Sequence, residues 1–241
     1  MRLLIVNPNT SSATTALLQR HVAGAAGAHV MVEATTARFG ASYIADETSY
    51  AVAAHAALDA YAVHAEAHGE PDAVLLACFG DPGVEALRQL SRRPVIGLAE
   101  ASMREATGLG MFAVVTGGRA WGPMLERIAR SWGFGGALAR VHTVEPSGAE
   151  LAADVDAAAS LLGAACREAA VGVQAVILGG AALAGLAGRI ERSASVALID
   201  SVAAGTRAIV RMARADDRQM RTTRAAAAWT GVSDALSRRL G

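Results

Sequence analysis

The chain of 241 residues contains no lysine, and its 22 basic side chains are all arginine. That absence excludes a Schiff-base lysine, a lysine general base and a phosphate-binding Walker lysine. Acidic residues also number 22, so the formal net charge is zero and no basic surface points to nucleic acid. Only 18% of residues are charged against 53% apolar, which rules out a disordered chain. No uninterrupted apolar run reaches the ~18 residues of a membrane span, so no membrane partner is expected. Met1 to Val6 lead straight into Asn7-Pro8, with no charged leader, and the expected location is cytoplasmic. The two cysteines, Cys78 and Cys166, are accordingly expected as free thiols.

What is present is alternation. Short apolar runs near residues 3–6, 29–34, 73–77, 94–97, 111–115, 139–144, 174–178 and 196–199 predict strands. Most are continuously apolar, Ala73-Val74-Leu75-Leu76-Ala77 and Ala175-Val176-Ile177-Leu178 most plainly, as in parallel strands buried on both faces. Between them, Ala-rich stretches with Arg and Glu at helical spacing predict helices near 11–25, 48–68, 82–91, 99–107, 119–132, 149–171, 182–192, 201–214 and 222–239. The expected class is α/β, with helices flanking parallel sheets. Residues 72–87 and 174–190 each read apolar strand, small-residue turn, helix, which suggests two comparable lobes. The first lobe is expected to comprise residues 1–98 and 205–241, and the second 99–204.

Functional groups of parallel α/β folds gather at the carboxyl ends of strands. Asn7-Pro8-Asn9-Thr10-Ser11-Ser12 follows the first strand and offers amides, hydroxyls and N–H groups suited to a small carboxylate. The plainer alternative is a turn with Thr10 or Ser11 capping the helix. Cys78-Phe79-Gly80-Asp81-Pro82-Gly83 follows the third strand and sets a thiol close to a helix start expected at Asp81-Pro82, whose dipole would lower its pKa; Asp81 would raise it if its carboxylate approaches the sulfur, so the net shift stays open at this point. A small buried hydrophobe is the competing role for Cys78. Thr116-Gly117-Gly118 and Gly179-Gly180-Ala181-Ala182 end two further strands, the first with a hydroxyl and the second with backbone donors alone.

Other candidates are weaker. Cys166 lies within a helix beside Arg167 and Glu168 and is expected as filler. His64 and His68 have i, i+4 spacing but lack the neighbouring Glu of a zinc-protease helix, so no metal is expected. Arg214, Arg218, Arg221 and Arg224, interspersed with Asp216 and Asp217, suggest a solvated helix face. The segment Arg38 to Ser49 carries no motif and is a candidate cover for the cleft.

Taken together, Asn7-Pro8-Asn9-Thr10-Ser11, Cys78-Phe79-Gly80-Asp81, Pro94-Val95-Ile96-Gly97 with Glu100-Ala101, and Ala197-Leu198-Ile199-Asp200 resemble the aspartate/glutamate/hydantoin racemase superfamily. The similarity runs over about residues 1–210 and is nearest to the hydantoin racemase branch. It implies two pseudo-symmetric lobes, a cofactor-free site in the cleft between them, and two thiols that work on opposite faces of the substrate's α-carbon. The first thiol matches Cys78. Substrate-binding groups would be Asn7, Thr10, Ser11, Thr116 and the backbone at Phe79, Gly80, Gly180 and Ala181. In two-thiol members the later turn reads glycine, cysteine, alanine, glycine, and here Gly180 stands in the second cysteine's place. Three functions follow. The first is a racemase or isomerase acting on a hydantoin or amino-acid derivative. The second is a single-thiol decarboxylase or lyase, or an isomerase or hydrolase using Cys78 as nucleophile. The third is a non-catalytic binder of a small acid. The expected partner is a small molecule with a carboxylate or ureide carbonyl, and self-association into a homo-oligomer is left open. Gly180→Cys is expected to restore a second acid.

Overall fold

The computed structural model describes residues 1–190, 196–215 and 227–240. Two parallel four-stranded sheets organise them. The first has the order β2-β1-β3-β4 and is built from β1 (Arg2–Asn7), β2 (Met31–Thr36), β3 (Ala73–Leu76) and β4 (Val95–Gly97). The second repeats that plan as β6-β5-β7-β8, from β5 (Phe112–Gly117), β6 (Leu138–Val144), β7 (Ala175–Leu178) and β8 (Ala197–Asp200). All eight expected strands are present. They were legible because the central ones are covered on both faces: Leu3 to Val6, Ala73 to Leu76 and Phe112 to Val115 are fully buried.

The helices are α1 (Ser12–Ala26), α2 (Glu47–His68), α3 (Val84–Leu90), α4 (Leu98–Thr107), α5 (Trp121–Ser131), α6 (Gly148–Ala153), α7 (Val155–Ala169), α8 (Ser201–Arg214) and α9 (Asp234–Leu240). Helix α8 follows the second sheet in sequence but packs against α1, α4 and β3. The chain therefore returns to the first sheet's side. Helix α9 lies on α2, where Arg238 and Arg239 pair with Glu66 and Glu70.

Three helical expectations need correction. The single helix over 149–171 is broken at Asp154, which is extended (φ −133°, ψ 95°) and caps α7 by accepting from the Ala157 N–H. Asp favours caps because its short side chain competes for backbone N–H groups. The helix over 182–192 is replaced by short 3₁₀ turns at Ala181–Leu183 and Leu186–Gly188, separated by Gly185 at φ 81°; positions 191 and 192 lie outside the described residues. A Cβ at Gly185 would sit 2.2 Å from His21 Cε1, so close packing against α1 selects glycine over helix continuity. The last helix begins at Asp234 rather than 222. Positions 222–226, like Asp216, Asp217, Arg218, Arg221 and Arg224, lie outside the described residues.

Among the described residues, no helix is long and apolar enough to cross a membrane, and no group of three His, Cys, Asp or Glu side chains converges to hold a metal. His64 instead bonds Glu33 at 2.8 Å and rests against His68.

Candidate active site

The carboxyl ends of β1, β3, β5 and β7 meet at a pocket of about 360 Å³. That is the size of a small-molecule site. Both sheets contribute to its wall: Asn9 and Ser11 after β1, Cys78 and Phe79 after β3, Thr116 and Gly117 at the end of β5, and Gly180 and Ala181 after β7.

The loop after β1 is held by its own amides. Asn7 is wholly buried; its Nδ2 donates to Asn9 Oδ1, the Ser11 carbonyl and Thr15 Oγ1, and its Oδ1 accepts from the Asn9 N–H. Every polar atom of that side chain is spent on the turn. Asn7 therefore shapes the loop and does not line the pocket, contrary to its expected role. Thr10 is also absent from the lining, its N–H being tied to the Ala41 carbonyl at 3.0 Å. Ser11 does line it and caps α1, its Oγ accepting from the Thr14 N–H. Ser11 thus caps the helix and also stands on the pocket wall.

Cys78 is 7% exposed and faces the pocket. The expected helix start at Asp81-Pro82 is displaced: α3 begins at Val84 after a left-handed Gly83. Asp81 instead reaches the next helix, accepting from the Ala99 and Glu100 N–H groups at 3.0 and 2.9 Å and so capping α4. Gly97 makes room for it, since a Cβ there would fall 2.0 Å from the Asp81 carboxyl carbon. Burial pushes the Asp81 carboxyl up to about 7, against the pull of those two donors. Burial also pushes the Cys78 thiol above its ordinary range, and Asp81 adds to that rise. Both effects disfavour the thiolate.

Gly80 is set back from the pocket. Its carbonyl accepts from Tyr50 Oη at 2.7 Å, and the Trp121 ring fills the space where a side chain would stand. The Phe79 N–H, by contrast, makes no hydrogen bond among the described residues, and neither does the Ala181 N–H one residue past Gly180. These two pocket-lining positions occupy matching places in the two sheets and leave donors available to a ligand. The Gly180 N–H is less available because it bonds Ser201 Oγ at 3.3 Å.

Several wall residues carried no signal in the sequence. Tyr43 comes from the segment over 38–49 and, with Ser42 and Ile44, forms one side of the pocket. Its Oη accepts from the Gly148 N–H at 3.0 Å, linking that segment to α6, and burial raises the phenol's pKa. Trp121 closes another side. Thr14, Leu17 and Arg20 line the pocket from α1; their three-residue spacing is the one regularity that could have been read beforehand. Cys166 is buried on α7, away from the pocket, its thiol pushed up to about 12 by burial.

A doubled parallel sheet with a thiol at one strand end beside a ligand-sized pocket is the arrangement that, with the family match that follows, places the chain among isomerases of the racemase type. The chain belongs to the Asp/Glu/Hydantoin racemase family, whose model matches residues 3–209. It is 28% identical over 210 residues to a hydantoin racemase of Pseudomonas sp. (strain NS671), covering 86% of this chain and 84% of that one. Among solved structures, it is similar to allantoin racemase from Klebsiella pneumoniae, with 29% identity, a TM-score of 0.83 and coverage of 89% and 88% of the two chains. Allantoin racemase from Pseudomonas fluorescens gives 27% identity and a TM-score of 0.80, with coverage of 89% and 92%.

Proposed function

We propose that this enzyme moves a proton at the carbon next to a carbonyl of a hydantoin or a related ureide such as allantoin, with Cys78 as its one pocket thiol. The observation that supports this reading best is the sulfur's position beside the unpaired Phe79 N–H, with the Ala181 N–H in the same pocket. Removing an α-proton puts negative charge on the carbonyl oxygen, and preorganised N–H donors stabilise that charge where it forms. Each well-aimed donor contributes roughly 3 kcal/mol.

In this reading Cys78 acts as the near-face acid, its burial disfavouring the thiolate. Water on the far face takes the α-proton and passes it to solvent, and the carbonyl oxygen becomes an enolate. Cys78 S–H then delivers its proton to the same carbon from the near face. The resulting thiolate recovers a proton from solvent, which resets the enzyme with the opposite configuration at carbon.

The test is incubation of single enantiomers of 5-substituted hydantoins and of allantoin in heavy water. Deuterium uptake with inversion is expected. Uptake with full retention would instead support one-face chemistry, for which Gly180 in the second cysteine's place is the specific observation: on a malonate-type substrate, Cys78 would then protonate the carbanion left when the α-carboxylate departs as carbon dioxide. No uptake from the hydantoins or allantoin would sink the first reading, and no carbon dioxide release from an α-substituted malonate would sink the second.

A further inference from the structure

Arg20 is the only ionised side chain among the described residues that line the pocket, and no carboxylate stands there with it. It is exposed and makes no ion pair or hydrogen bond among the described residues. Most cations elsewhere are engaged: Arg2 with Glu33, Arg38 with Asp59, Arg127 with Glu47 and Arg207 with Glu105. Asp200, the one acid among the described residues that line the adjoining depression with Arg20, is committed to the N–H groups of Gly185, Val202 and Ala203. Helical spacing places Thr14, Leu17 and Arg20 in one stripe along α1, all three on the pocket wall. Ser11 at the start of that helix and Arg20 are separated by ~13 Å of axial rise, so the guanidinium is offset along the wall from the α1 terminus.

A guanidinium without a protein partner at the wall of an otherwise uncharged pocket selects for a planar anion, which it binds through two parallel N–H···O bonds. We infer that Arg20 receives a carboxylate at the end of the substrate's ring substituent, so that the preferred substrates are hydantoins carrying an acidic side arm. This rests on the hydantoin reading above and narrows it. Leu17, one turn before Arg20, supplies apolar contact for the methylenes of such an arm.

Calorimetric titration separates the two. The probes are 5-methyl-5-(2-carboxyethyl)hydantoin and its primary amide, neither of which has a proton at the reacting carbon, so binding is read without turnover. The acid is expected to bind at least fivefold more tightly than the amide. Arg20→Gln should bring that ratio to near one, and Arg20→Lys should retain most of it; an exposed position permits both without loss of fold. A wild-type ratio below fivefold, or a preference that survives Arg20→Gln, overturns the inference while leaving the hydantoin reading intact. If neither probe binds, the hydantoin reading fails and the inference fails with it.

Discussion

Cys78 and Gly180 hold equivalent places in the two sheets. Each lies two residues beyond the end of a strand, Leu76 of β3 and Leu178 of β7, that pairs in parallel with the strand opening its sheet. The thiol has no sulfur counterpart, and its mate is a glycine at φ 149°.

Replacing Cys78 by Ala removes the only pocket thiol. Isotope exchange at the α-carbon should fall by ~10²–10⁴-fold, the range for loss of a positioned acid or base. Deleting one buried atom should cost no more than about 1 kcal/mol of stability. The comparison of exchange rate with urea midpoint distinguishes a chemical role from a folding defect, and unchanged exchange in a folded variant would remove Cys78 from the mechanism.

Gly180→Cys no longer looks like a simple restoration of the second acid. A Cβ there would sit 3.0 Å from Leu183 Cγ, on a backbone conformation that side chains rarely adopt. Strain of this kind costs of order 1–3 kcal/mol. The single variant should therefore unfold at lower urea without gaining inversion, whereas G180C/L183A should gain exchange with inversion because the sulfur has space. Equal stability of G180C and wild type would show that the turn relaxes freely.

Eight strands could be read from the order of residues, because burial on both faces writes an uninterrupted apolar run into the chain, whereas the two-part plan rested on the likeness of residues 72–87 and 174–190 and on the family resemblance. The turns that carry Ser11, Cys78, Thr116, Gly180 and Ala181 were legible for the same reason: each is punctuation after such a run. Asp81 was misread because its partners, Ala99 and Glu100, belong to another helix, and local spacing pointed to its own. Tyr43 was invisible because its hydroxyl is placed by the Gly117 carbonyl and the Gly148 N–H, 74 and 105 positions later in the sequence.

Asp81→Asn should make Cys78 easier to ionise. Loss of the nearby negative charge favours the thiolate, so the pH profile of Cys78 alkylation should move to lower pH, while burial keeps it above the range of a free thiol. The amide offers only one acceptor oxygen to the Ala99 and Glu100 N–H groups, so stability should drop by about 1–3 kcal/mol. An alkylation profile unmoved in the variant would mean that Asp81 does not act on the sulfur.

Glu33 sets a pH window for folding. Hydrogen bonds from Arg2 and His64 hold its carboxyl down at about 2 against an ordinary 4.5. A depressed carboxylate contributes stability that is fully present above the unfolded value and lost as pH falls through the folded one. The urea midpoint of the wild type should therefore decline between about pH 4.5 and about 2, with a shallower decline in Glu33→Gln. Parallel curves for the two proteins would place the acid sensitivity elsewhere.

The Phe79 ring occupies the space over Gly179 so fully that a methyl group there would lie 2.2 Å from it. This contact ties the residue after Cys78 in the first half of the molecule to the residue before Gly180 in the second, so a shift of either turn is felt at the other.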